Sequence, residues 1–287
     1  MLPERTLGTA NFVNPYGLSN KCLNKKDIDN LLQCAWDNEF RGIDTAADYL
    51  NVEETLSNAK NFHRNNWRLT TKIPKRKKNE TLNNYKKEIK KFIEHTRKKL
   101  NKDVIDTVLV HDPYIFKNDD EMDLVCNILI DEREKGHLNF LGFSIYEEIN
   151  KEKMNFLVTL LSKFTLQCPY SIFDRRFEQS ITEYSKLTSF QIRSIFLQGL
   201  LLNQKFFEKK FYETDSYKNF RLWLHENNLT SFEACVAFAK FSQAEELVIG
   251  FNSVKELEAF GEAYNNSQKI NPIVFCTDVR VLNPLNW

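Results

Sequence analysis

The chain has 287 residues, 40 basic against 39 acidic, and a formal net charge of +1. That balance leaves no electrostatic footprint for nucleic acid or a membrane surface, and no stretch approaches the roughly 20 apolar residues of a transmembrane helix. The start, MLPERTLGTANF, lacks the charged lead and apolar run of a signal peptide, so a cytoplasmic protein is expected.

Ordinary hydrophobic content with only 8 Gly and 7 Pro points to a compact fold. No linker, repeat or low-complexity tract divides residues 1–287, so one domain is expected. Six cysteines (Cys22, Cys34, Cys126, Cys168, Cys235, Cys276) stand singly, with no CxxC pair and no zinc-like spacing to a histidine. They read as small core residues, and no metal is expected.

In chain order, RTLGTA (5–10) is the first β-type run. KKDIDNLLQCAWDNEF (25–40) carries Ile28, Leu31, Leu32, Ala35 and Trp36 at helical spacing. RGIDTA (41–46) follows, then a helix-like stretch at 52–60 and the run WRLTTK (67–72). Residues 82–100 predict a basic helix with Leu82, Tyr85, Ile89, Phe92, Ile93 and Leu100 on one side. Its lysines, with KRKK (75–78), read as a solvated face, since no aromatic platform interleaves them. The remaining runs are VIDTVLVH (104–111), LNFLGFS (138–144), FTLQCP (164–169), IRSIF (192–196) and ELVIG (246–250). Helical patterns separate them at 120–135, 147–162, 175–187, 231–242 and 254–264, and 197–230 reads as an insertion or lid.

Eight runs alternating with helices argue for an α/β protein with a parallel sheet. Within this length they suit a (β/α)8 TIM barrel, and no GxGxxG follows the first run to favour an open dinucleotide-binding sheet.

Barrel active sites sit at the C-terminal strand ends. The second run ends at Asp44, with Tyr49 in the loop beyond it. The third ends at Lys72, the fourth at His111 and the fifth at Ser144. The sixth holds Gln167, and the seventh carries Arg193 and Ser194. Each alone has a plain structural reading: a solvated lysine, a hydrogen-bonded histidine, an aspartate capping a turn. Together they converge on one mouth.

The chemistry of that set is specific. A phenol with an ordinary pKa near 10 is a weak donor at neutral pH, and a nearby ammonium favours its ionised form. A carboxylate fixes the ammonium, and a histidine orients a substrate oxygen. Asp44, Tyr49, Lys72 and His111 therefore suit proton delivery to a carbonyl oxygen as hydride reaches its carbon. A Schiff-base role for Lys72 is the other barrel chemistry, but it leaves Tyr49 unused.

These residues resemble the aldo-keto reductase family over almost the whole chain. GIDTAADY is similar to the family's Gly-x-Asp-Thr-Ala-x-x-Tyr segment, LTTK to its lysine strand, and RKKLNKDVIDTVLVHDP to its helix-into-histidine signature. The resemblance implies a catalytic Tyr49 with Lys72, Asp44 and His111. It implies Ser144 and Gln167 on the nicotinamide carboxamide, and Arg193 flanking the ring. It also implies Gly250, Asn252 and Ser253, in VIGFNSVKELEAF, near the adenosine-side phosphate, where amides at a helix start favour anions.

VLNPLNW resembles the tail of a bacterial branch associated with surface-polysaccharide and sugar-nucleotide pathways, which implies a sugar-derived carbonyl substrate. The implied activity is NAD(P)H-dependent reduction of an aldehyde or ketone to an alcohol. The alternative is a cofactor-binding sensor or partner subunit with little catalysis. A monomer or weak dimer is implied.

The sequence departs from the family's pattern in three places. Leu50 and Val52 stand where the family has Gly and Ser, and Ile145 where it often has Asn. Glu256 stands where many NADPH-using members have Arg. NADP(H) is expected from the family's habit, and NAD(H) is the alternative, because a carboxylate repels a 2′-phosphate and can accept from a free 2′-hydroxyl. Substrate choice would fall to the loops at 12–22 and after His111, the 197–230 insertion and the tail, with Phe12, Tyr16, Tyr114, Phe116 and Trp287 as candidate walls.

Overall fold

The computed structural model describes residues 2–13, 17–18, 22–116, 119–211 and 214–283. Tyr16, Trp287 and the end of the tail resemblance lie outside them.

Eight strands close into a barrel in sequence order, each parallel to its neighbours. They are β1 (Glu4–Gly8), β2 (Phe40–Asp44), β3 (Arg68–Ile73), β4 (Ile105–Val110), β5 (Leu138–Ser144), β6 (Thr165–Pro169), β7 (Ser189–Arg193) and β8 (Glu246–Ile249). The expected TIM barrel is the observed fold.

The seventh run is displaced: the strand is SFQIR, three residues earlier than the expected IRSIF. Gln191 is the reason. It breaks the apolar run in sequence, yet it is buried and bonded to Gln167 inside the barrel, while Phe190 and Ile192 on the opposite face are buried in the core. Gly142 has a packing reason, since a Cβ there would stand 1.9 Å from the carbonyl oxygen of Thr165 as β5 and β6 approach.

The helices are α1 (Lys25–Asp37), α2 (Val52–Ser57), α3 (Lys60–Arg64), α4 (Leu82–Lys99), α5 (Asp119–Glu134) and α6 (Lys151–Leu161). They continue as α7 (Glu178–Tyr184), α8 (Gln204–Phe211), α9 (Asp215–Glu226), α10 (Ser231–Lys240), α11 (Val254–Asn266) and α12 (Val279–Leu282). Local chemistry sets their starts. Asn24 accepts from Asp27 N to open α1, and Thr81 accepts from Asn84 N to open α4. Asn150 accepts from Lys153 N, so α6 begins at Lys151, later than the apolar pattern from 147 suggests. Thr230 and Glu233 form a capping box at α10. The buried faces are those of the sequence pattern: Ile28, Leu31, Leu32 and Ala35 on α1, and Tyr85, Ile89 and Ile93 on α4.

The insertion builds its own core. After β7 the chain makes a 3-10 stretch, Leu197–Leu202, interrupted by left-handed Gln198 and Gly199. Phe207, Tyr217, Phe220 and Trp223 of the insertion then pack with Phe173 from the segment after β6 and with Val274, Val281 and Leu282 of the C-terminal segment. Among the described residues, no helix is long and apolar enough to cross a membrane.

Candidate active site

Polar side chains at or just beyond the C-terminal ends of β2 to β7 gather at one mouth. Asp44 closes β2 and is buried, as is Lys72 on β3. Lys72 Nζ donates to both Asp44 oxygens at 2.7 Å and to the Thr45 carbonyl at 3.1 Å. Burial disfavours the ammonium and lowers its pKa; Asp44 opposes this, and the charge of Arg193 adds to the lowering.

Tyr49 stands in the loop after β2, its amide donating to the Ala46 carbonyl. Lys72 Nζ lies 5.5 Å from its ring centroid, and the His111 ring meets it edge-on at 6.1 Å. The four residues of the expected tetrad therefore share one cluster.

His111 follows β4, with Nδ1 3.1 Å from Asp48 Oδ2 but off the line of a regular hydrogen bond. Burial lowers the histidine's pKa; the charges of Lys72 and Lys75 act the same way, and Asp48 opposes them. Burial would raise Asp48, but His111 and Lys75 outweigh it and hold that carboxyl below its usual range. Sequence reasoning does not single out Asp48. Its only signal is its place beside Tyr49.

Ser144 and Gln167 are neighbours in the β5–β6 register, both buried. Gln167 Nε2 donates to Asp44 Oδ2 at 2.7 Å and to Gln191 Oε1 at 3.1 Å. Its Oε1 is buried with no hydrogen-bond partner among the described residues. Arg193, at the end of β7, donates to the Ile145 carbonyl at 3.0 Å and stacks on the Tyr146 ring at 4.1 Å. Ile145, where the family's pattern often has an amide side chain, thus contributes its backbone. Nothing in the sequence pattern points to Tyr146.

Gly250, Asn252, Ser253 and Glu256 form a second group at the start of α11. Ser253 caps the helix, accepting from Glu256 N at 3.2 Å, and Glu256 Oε2 accepts from Asn252 N at 2.8 Å. Asn11, from the loop after β1, donates to the Phe251 carbonyl at 2.6 Å and to Asn252 Oδ1 at 3.1 Å. A side chain at Gly250 would meet Asn11 Oδ1 at 3.2 Å. The helix start expected to receive an anion already holds the Glu256 carboxylate on one of its amides.

The candidate walls divide. Phe12 is fully buried in the barrel's apolar core. Phe116 packs on that core beside Tyr85. Tyr114 is half exposed, and its hydroxyl ties the loop after His111 to Glu147 through the Glu147 carbonyl and amide. Among the described residues no group of three or more His, Cys, Asp or Glu is placed to hold a metal.

A barrel with this cluster at its mouth defines a class, and comparison names it. The aldo/keto reductase family model matches residues 6–271, and the chain belongs to that family. Solved structures share the fold. The holo form of aldo-keto reductase AKR11C1 from Bacillus halodurans superposes with a TM-score of 0.70 at 17% identity, over 93% of this chain and 88% of that one. The glycerol dehydrogenase AKR11B4 from Gluconobacter oxydans gives 0.70 at 18%, over 94% and 88%. No curated protein sequence matches the chain significantly.

Proposed function

We propose that the protein reduces a small aldehyde or ketone to its alcohol, with a nicotinamide cofactor as hydride source and Tyr49 as proton donor. The observation that carries this reading is the sealed Asp44–Lys72 pair beneath the Tyr49 ring. When bound, the cofactor supplies the hydride. The chain's own residues manage the proton. Lys72, fixed by Asp44 and the Thr45 carbonyl, holds positive charge beside the phenol, and a phenol beside an ammonium gives up its proton more readily. His111, its ring edge-on to Tyr49, stands where it can hydrogen-bond a carbonyl oxygen and set its angle. The buried pair also keeps water from competing for the lysine.

The site fits the cofactor on one independent observation. Gln167 Oε1 is a buried acceptor with no partner among the described residues, which suits a carboxamide N–H. Ser144 beside it and Arg193 over Tyr146 would flank the ring, and Asn252, Ser253 and Gly250 would face the adenosine side. Family habit favours NADP(H). The Glu256 carboxylate on the Asn252 amide is the feature that weighs for NAD(H). A sugar-derived substrate rests on the tail resemblance alone, and a cytoplasmic setting on the singly placed, free cysteines.

Calorimetric titration with NADPH and NADH, followed by turnover of test aldehydes, examines this reading. Micromolar or tighter binding with turnover is expected. Binding without turnover would leave a sensor, and no binding of either would remove the reductase reading. The two affinities also test Glu256. Glu256→Gln is expected to shift the ratio toward NADPH by roughly fivefold, one charge removed near an exposed phosphate.

A further inference from the structure

Gln167 is held by a chain of side chains that runs through the barrel to its opposite end. Its Nε2 donates to Asp44 on one side and to Gln191 Oε1 on the other. Gln191 turns its own Nε2 toward the floor, to Glu246 Oε2 at 3.2 Å and Thr70 Oγ1 at 3.3 Å. Glu246 Oε2 also accepts from Thr6 Oγ1 at 2.9 Å, and its Oε1 faces Arg68 at 3.7 Å.

A carboxylate only accepts hydrogen bonds. Asp44 and Glu246 therefore end the chain with acceptors, and the polarity of both amides between them follows. Gln191 must give its nitrogen to Glu246, which presents its oxygen to Gln167. Gln167 must then give both N–H groups to Asp44 and Gln191, which leaves Oε1 over. That oxygen is buried and unbonded among the described residues. An unmet buried acceptor is destabilising, and a ligand donor placed at Oε1 would satisfy it.

We propose that Gln191 and Glu246 are positioning residues that fix the Gln167 amide with Oε1 available to an amide N–H of the ligand. The proposal rests on the cofactor reading above, in which that N–H belongs to the nicotinamide carboxamide. Glu246 acts from the far end of the barrel, through two glutamines, and touches neither cofactor nor substrate.

The test is calorimetric binding to wild type, Gln191→Leu and Glu246→Gln, each checked for folding by circular dichroism. The probes are the oxidised dinucleotide that wild type prefers, the matching ADP-ribose fragment, and the 3-acetylpyridine dinucleotide, which has a methyl in place of the amide nitrogen. Gln191→Leu should weaken the full dinucleotide about tenfold, the size of one directed hydrogen bond, and Glu246→Gln about threefold. ADP-ribose and the acetylpyridine analogue should bind wild type and both variants alike.

Equal loss for ADP-ribose and dinucleotide, or no loss for either, would overturn the proposal while leaving the reductase reading in place. Wild type that binds no dinucleotide would overturn the reading itself, and the proposal with it. Should Gln191→Leu fail to fold, the Glu246→Gln comparison decides alone.

Discussion

The two ends of the barrel interior are both polar, but they hold charge in different ways. At the mouth, Asp44 and Lys72 pair directly at 2.7 Å, with side chains only 5% and 2% exposed. At the floor, Glu246 is 18% exposed and is met by a hydroxyl, an amide and an arginine 3.7 Å away. A cavity of about 620 Å³, lined by Glu4, Arg68, Thr70, Gln191 and Glu246 among others, opens there. The mouth fixes a charge by an opposite charge and seals it. The floor keeps a carboxylate on a hydroxyl and an amide, with its arginine farther off and a cavity beside it. The first arrangement suits a group that must stay ionised and still; the second suits one that only has to orient its neighbours.

Rate should separate the two ends most strongly. Tyr49→Phe is expected to lower kcat by roughly 10²–10⁴, the usual reach of a general acid, with cofactor affinity within about twofold. Steady-state kinetics with a dinucleotide titration checks it, and full activity in Tyr49→Phe would end the proton-donor assignment.

Stability comes next. Lys72→Met leaves the Asp44 carboxylate buried and without its counter-charge, a loss on the order of 3–5 kcal/mol. Glu246→Gln removes a charge that burial disfavours and should leave stability at neutral pH equal or slightly higher. Urea denaturation of the two variants would show the contrast, and similar losses at both ends would erase it.

The smallest effects are in pH, and their signs are opposite. The folded-state pKa of His111 lies below the ordinary 6.5, chiefly through burial. The unfolded chain then takes up the proton first, so this contribution to stability is present above 6.5 and is lost as pH falls through the folded value. The folded-state pKa of Glu246 lies above 4.5, again through burial, with Glu4 and Asp44 adding and Arg68 and Thr6 opposing. Its contribution is present below 4.5 and is lost as pH rises through the folded value. Neither slope exceeds about 1.4 kcal/mol per pH unit. His111→Gln should flatten the stability profile on the acid side of 6.5, and Glu246→Gln should flatten it above 4.5. The same slope change in both variants would contradict the assignment of opposite signs.

Much of this molecule is legible in its sequence. The alternation of β-type runs and helical patterns determines a barrel, because each run needs a helix to cover it. The polar residues at the run ends determine the candidate cluster, because every strand of such a barrel points its C-terminal end at one mouth. Asp44, Tyr49, Lys72 and His111 are visible for that reason.

The partners are not legible. Gln167 meets Asp44 across 123 residues, and Gln191 meets Glu246 across 55. No spacing rule links such positions, since only closure of the barrel brings β2, β6, β7 and β8 around one axis. Gln191 even hides its strand by interrupting an apolar run. Asp48 looks like loop polarity until the turn after β2 brings it to His111. The sequence by itself determined which chemical groups stand at the mouth. The tertiary structure alone decided which way they face and what holds them there, because hydrogen-bond direction depends on neighbours that only the folded chain assembles.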